Sequence, residues 1–110
     1  MMRSRKVRFF ALALVAMMAF TTAAMAAYVY ESRYGHNTLK RGHSNSYVWN
    51  LQEDINDSSA AANCGTVDGI FGSGTEHGVR EYQRIKGLSV DGQAGYNTKT
   101  TLWYDVGYRK

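Results

Sequence analysis

The stretch VDGIFGSGT at residues 67–75 returns as VDGQAGYNT at residues 90–98, with Val, Asp, two Gly and Thr in the same places. Two copies set 23 positions apart leave room between them for one short helix and little else. Asp68-Gly69 and Asp91-Gly92 are turn dipeptides. The Asp side chain accepts hydrogen bonds from its own downstream amides, and Gly tolerates the positive φ that such a turn needs. Gly72 and Gly95 add an unhindered position just before the chain coils up. Each copy then reaches an apolar residue four places past its Thr75 or Thr98, namely Val79 or Leu102.

The first copy predicts a helix with a capping box formed by Ser73 and Glu76. Val79, Tyr82 and Gln83 fall on its inward face, and Gly87-Leu88 is its stop. The second copy predicts a helix capped from Asn97 or the neighbourhood of Tyr96, with Thr98, Leu102 and Val106 facing in. Upstream, Val48, Leu51, Gln52 and Ile55 recur at i, i+3, i+4 and i+7, one face of a third helix. Ser44 or Ser46 is placed to cap that helix, and Asn56-Asp57-Ser58-Ser59 to end it. SSAAANCGT reads as a loop. The expectation is an all-α fold, a small three-helix bundle. Two of its helices begin from repeated DGxxG turns, with Ile70 or Phe71 packed beneath the first of them.

The N-terminal residues read differently. MMRSRKVR carries four positive charges, an uncharged apolar run follows, and small residues end in Ala24-Met25-Ala26. These are the three parts of a secretory signal peptide, assigned to residues 1–26, and cleavage there leaves 110 − 26 = 84 residues. The alternative is an uncleaved anchor, because no charge interrupts Phe9 to Tyr30. Residues 27–42, with three tyrosines and no sustained period, are expected to be an arm or linker, and residues 43–110 the domain.

The leader also explains the charge. Four of the 13 Lys and Arg lie within it and none of the nine acids does, so the remainder balances at 9 − 9 = 0. That balance removes the basic footprint expected of a nucleic-acid or anionic-lipid binder. Cys64 has no intramolecular partner, so it is either a free thiol or a link between chains. His36, His43 and His77 lack paired ligands at metal-binding spacings, no nucleophile–base motif is written, and no cofactor is expected.

In order along the chain stand Val48 and Leu51-Gln52, the first turn copy, Val79-Arg80, Tyr82-Gln83, Gly87-Leu88 and the second turn copy. This set resembles the peptidoglycan-binding domain found beside bacterial cell-wall hydrolases and in the pro-regions of some metalloproteases. The match covers about 60 residues. It implies a three-helix domain without catalysis of its own, attached noncovalently to cell-wall glycan strands or stem peptides. By that resemblance Val48, Leu51, Val79, Tyr82, Leu88 and Leu102 are core positions. Asp68, Gly69, Gly72, Asp91, Gly92 and Gly95 are turn residues, and Gln52 and Gln83 hold the turns through their amides. Ser73 and Tyr96 stand where the family often has proline, and Lys99 where it often has tryptophan.

A noncatalytic wall site needs aromatic planes, amide or carboxylate hydrogen bonders and a cation for a peptide carboxylate. The second turn supplies them in Asp91, Gln93, Tyr96 and Asn97, with Arg80 as the cation. Tyr47 and Trp49 flank the inward Val48, so at least one of them is expected to face water. The leading expectation is a secreted wall-binding module, contacting no nucleic acid and, after leader removal, no membrane. The alternative is a regulatory or inhibitory body docking onto a wall hydrolase or protease.

Overall fold

The computed structural model describes residues 30–109, and the expected leader at 1–26 lies outside them. Three helices carry the domain: α1 (Ser46–Asp57), α2 (Ser73–Lys86) and α3 (Tyr96–Asp105). A 3-10 turn follows at Gly107–Arg109, and residues 30–34 are also helical. Among the described residues there is no strand. Two isolated antiparallel bridges, Leu39 with Ala94 and Ser44 with Ile70, tie the segment before α1 to both repeated turns.

The inward faces meet as their spacing requires. Val48, Leu51, Ile55, Val79, Tyr82 and Leu102 are fully buried, and Val106 and Phe71 join them. Burying each such side chain contributes roughly 1.5–3 kcal/mol. Phe71, not Ile70, packs beneath α2; Ile70 is exposed. α2 ends at Gly87, left-handed at φ 73°, and the Leu88 amide folds back to donate to Gln83 O at 2.8 Å.

The helix starts differ from expectation. Asn45, rather than Ser44 or Ser46, caps α1, its Oδ1 accepting from the Val48 amide at 3.0 Å. The capping box at Ser73 does not form. Ser73 is already inside α2, Gly72 is the cap residue without a side chain, and Glu76 instead pairs with Arg41 at 3.2 Å. Gly95 takes the same role for α3, so neither Asn97 nor Tyr96 caps it.

Residues 30–42 are not an arm. Tyr30, Tyr34 and Leu39 belong to the core. Arg33 forks onto the buried Asp54 of α1 (Nε to Oδ2 2.6 Å, Nη2 to Oδ1 2.7 Å), and the Tyr34 hydroxyl donates to the same carboxylate at 2.5 Å. The loop at 58–66 is likewise half core, with Ala60, Ala62 and Cys64 buried. It lies so close to α2 that a Cβ on Gly78 would stand 2.5 Å from Cys64 Sγ and 2.7 Å from its backbone. That contact explains a glycine in mid-helix, and it decides the fate of the thiol. Cys64 is enclosed and donates to Thr75 O at 3.8 Å, so in the folded domain it is not placed to link two chains.

Lys99 is the least expected core member, 1% exposed. Its ammonium donates to the carbonyls of Gly35, at 3.0 Å, and of Asn37, fastening α3 to the segment before α1. Burial pushes its pKa down to about 8, against a smaller pull from Glu31. A lysine in the unfolded chain titrates near 10.4. From about pH 8 upward the unfolded chain therefore holds a proton that the folded one has released, and stability rises with pH.

Cys64 acts in the opposite sense, because burial pushes its thiol up to about 12 and ionisation from about pH 8.5 favours the unfolded chain. Tyr34 and Tyr82, also raised by burial, add further loss above about pH 10. Urea midpoints are thus expected to climb to a maximum around pH 8.5–10 and then fall. Lys99→Met should lack the climb and show only the fall. A wild-type midpoint that declines steadily from pH 7 would contradict this account.

Candidate functional site

The repeated turns are built by two glutamines that reach across from the preceding helices. Gln52 Oε1 accepts from the amides of Asp68 (3.0 Å) and Gly69 (2.9 Å). Its Nε2 lies within 3.1 Å of Asp68 Oδ1, Ile70 O and Thr75 Oγ1. Gln83 repeats this on the second turn. Its Oε1 accepts from Asp91 and Gly92, both at 3.0 Å, and its Nε2 faces Asp91 Oδ1, Gln93 O and Thr98 Oγ1. Each Asp also accepts from the amide two residues on, Ile70 or Gln93, at 2.9 Å. Gly69 and Gly92 both take positive φ, 80° and 75°. Those backbone bonds hold the Asp68 carboxyl below the usual carboxylate range.

Two matching depressions result. The one at the second turn has a volume of about 300 Å³ and is walled by Asp91, Gln93, Gly95, Tyr96 and Asn97, with Gln83 and Thr98 at its base. The one at the first turn, about 340 Å³, is walled by the residues 23 positions earlier, including Asp68, Ile70, Gly72, Ser73 and Gly74. The two differ at base and rim: Gln83 lines the second while Cys64 lines the first, and Tyr96 and Asn97 project where Ser73 and Gly74 stand.

Four of the five expected ligand residues are therefore brought together, and all four are exposed. Tyr96 is 67% exposed, its ring edge-on to Tyr30 at 5.8 Å between centroids. Arg80 is set apart from the rim residues. Its guanidinium packs against Gly92, where an added Cβ would lie 3.0 Å from Nε, so it flanks the second turn without lining the depression. The histidines are engaged singly. His36 meets Glu31 and His77 meets Glu81, each at 3.2 Å, and His43 Nδ1 faces the Lys40 amide at 3.3 Å. Among the described residues no group of three or more His, Cys, Asp or Glu side chains is placed to hold a metal ion.

Across this architecture the family model for the peptidoglycan binding domain matches residues 46–102, from the first residue of α1 to Leu102 in α3. The chain belongs to the peptidoglycan binding domain family. The matched span holds both turns, both glutamines and the whole rim of each depression. Two spore cortex-lytic enzymes of Bacillus cereus are 36% identical to the chain over 77 residues, which is 70% of this chain and 29% of theirs. The crystal structure of the SleB N-terminal domain superposes with a TM-score of 0.56 at 38% identity, covering 62% of this chain and 90% of that domain. The likeness thus lies in the peptidoglycan-binding part, and the chain spans about 29% of the length of its enzyme relatives.

Sequence reasoning missed Arg33, Asp54 and Lys99 as the residues that seat the first segment. Their signal was weak. A buried ion pair joining residues 21 positions apart leaves no local pattern, and a lysine on an inward helix face reads as a polar interruption.

Proposed function

We propose that this protein is an exported, non-catalytic module that holds peptidoglycan in the cell wall, and that the second-turn depression is a contact surface for it. The observation that carries the reading is the rim of that depression. Asp91, Gln93, Tyr96 and Asn97 face solvent around a turn whose buried bonds are already met by Gln83. The structural work of the turn is done by buried groups, which leaves an exposed ring, an amide pair and a carboxylate edge available to a ligand of sugars and short peptides. Arg80, beside Gly92, supplies a cation at the edge of the site for a stem-peptide carboxylate.

Sedimentation with purified wall sacculi tests this. The protein is expected to pellet with sacculi and to release no muropeptides. Tyr96→Ala combined with Asn97→Ala should weaken retention about five- to tenfold, the loss of roughly 1 kcal/mol or a little more. Retention unaltered in that variant would remove the second turn from the site.

A second reading follows from the relatives, whose matched domain belongs to cortex-lytic enzymes. In it the module docks onto a wall hydrolase. It predicts no retention on bare sacculi and retention once the hydrolase is added.

A further inference from the structure

The loop before α1 turns its oxygens inward. The carbonyls of Gly35 and Asn37 both accept from the enclosed Lys99 ammonium. In a trans peptide the N–H points opposite to the C=O. The His36 and Thr38 amides, which share those two peptide units, therefore point away from the ammonium. The amides of His36, Asn37 and Thr38 donate to no group among the described residues. The outer side of the loop thus carries free donors over a buried positive charge. Below about pH 8 Lys99 holds its proton, and the bonds it makes are to neutral carbonyls, not to a carboxylate.

A recess of about 200 Å³ opens against this loop. Gly35, His36 and Asn37 line it from the loop, and His43, Asn45 and Tyr47 from the start of α1 and the residues before it. Its polar side chains offer donors. The Lys40 amide donates to His43 Nδ1 at 3.3 Å, so the neutral ring carries its proton on Nε2. Asn45 Oδ1 is taken by the Val48 amide at 3.0 Å, which leaves the side-chain NH2. Tyr47, its ring against Gly35, gives an apolar wall. No Asp or Glu lines the recess. Glu31, which acts on Lys99 and pairs with His36, stands outside it.

N–H donors, no acid among the walls and a cation held behind them select an anion that accepts hydrogen bonds. A glycan strand brings mainly hydroxyls and N-acetyl amides, whereas a stem peptide brings carboxylates. We propose that the recess between residues 35–37 and the start of α1 binds a carboxylate of the stem peptide. This rests on the wall-binding function proposed above and gives the peptide a site apart from the second-turn depression.

The test is an amide NMR titration of the isotope-labelled whole protein at neutral pH. Its probes are a free stem tetrapeptide and the same peptide with its carboxyls converted to carboxamides. The tetrapeptide is expected to give saturable downfield shifts at His36, Asn37 and Thr38. The carboxamide form should bind about tenfold more weakly, having lost the charge-assisted bonds. Lys99→Met should weaken tetrapeptide binding about fivefold, a charge effect through one peptide layer. His43→Ala, a change near the surface, keeps the test open should Lys99→Met not fold. It is expected to weaken binding about threefold, the loss of one donor, with circular dichroism unaltered. Equal binding of the two probes, shifts confined to other residues, or undiminished affinity in either folded variant would overturn the assignment. So would inorganic phosphate shifting these amides more than the tetrapeptide does. Retention on sacculi in those cases leaves the wall-binding function standing. Wild-type protein that takes the tetrapeptide in the recess yet ignores sacculi would sink the function and keep the site.

Discussion

Gln52→Leu is expected to lower the stability of the domain by about 3 kcal/mol. Leucine matches the volume but leaves the Asp68 and Gly69 amides without their shared acceptor, and the Gly69 amide is buried. A buried donor stripped of its partner costs roughly 1–3 kcal/mol. Thr75 Oγ1 and Asp68 Oδ1 lose a donor in the same change. A domain of this size has a total stability of only about 5 kcal/mol, so most of the margin would go. In urea the midpoint should fall by about 2–3 M at an m-value near 1 kcal/mol/M. Gln83→Leu should cost a similar amount, since it breaks the same bonds on the second turn.

Gln52→Glu separates the two halves of the amide. It keeps an acceptor for the two N–H groups but turns the donor into a second oxygen facing Asp68 Oδ1 and Ile70 O, both acceptors. It should therefore also destabilise. If either leucine variant shifted the midpoint by less than 0.5 M, roughly 0.5 kcal/mol, the turns would be held by something other than the glutamines.

Arg33→Ala should cost about 3–4 kcal/mol, because it withdraws the guanidinium from a carboxylate that is wholly enclosed. Asp54 would keep the Tyr34 hydroxyl, one neutral donor in place of a bidentate cation. The double variant Arg33→Met with Asp54→Leu, made in a Tyr34→Phe background so that no buried hydroxyl loses its acceptor, is expected to recover most of the loss, since a buried pair contributes little beyond what well-packed apolar side chains give. A double-mutant cycle by urea melts measures the coupling. Additive single and double effects would show that the two side chains do not depend on each other. The same experiment asks whether residues 30–42 are part of the folding unit, because Arg33 lies in the segment expected to be an arm.

Much of the architecture was legible in the chain. The i, i+3, i+4 spacing of Val48, Leu51, Gln52 and Ile55 and of Val79, Tyr82 and Gln83 fixes which faces turn inward. The Gly87-Leu88 stop was equally clear. These are local signals, set by the helix period and by glycine's access to positive φ. The helix caps were misassigned for a local reason too. A capping box describes a helix that must satisfy its own first amides, whereas here the chain reaches α2 and α3 through turns already organised by a glutamine from elsewhere, and glycine suffices at the cap.

The candidate site divides in the same way. The grouping of Asp91, Gln93, Tyr96 and Asn97 was predictable because all four sit within one tight turn, where neighbours in sequence are neighbours in space. That Arg80 stands beside the turn and not on its rim was not legible, because a long side chain on a different helix takes whichever surface the packing offers, and here that is the face of Gly92. The exposure of Tyr47 and Trp49 could be foreseen from their position on either side of Val48, but not their neighbours Gly35 and Gly69, which come from two other loops.

By itself the amino-acid order determined three helices, their inward faces and a turn written twice, since each depends on contacts a few residues apart. Only the tertiary structure decided that the first segment belongs to the body, that Cys64 is enclosed and that Lys99 joins α3 to the carbonyls of Gly35 and Asn37. Those outcomes depend on which surfaces meet after the helices assemble. Burial then converts an ordinary arginine, thiol or lysine into a structural group, and no short-range pattern in the chain records it.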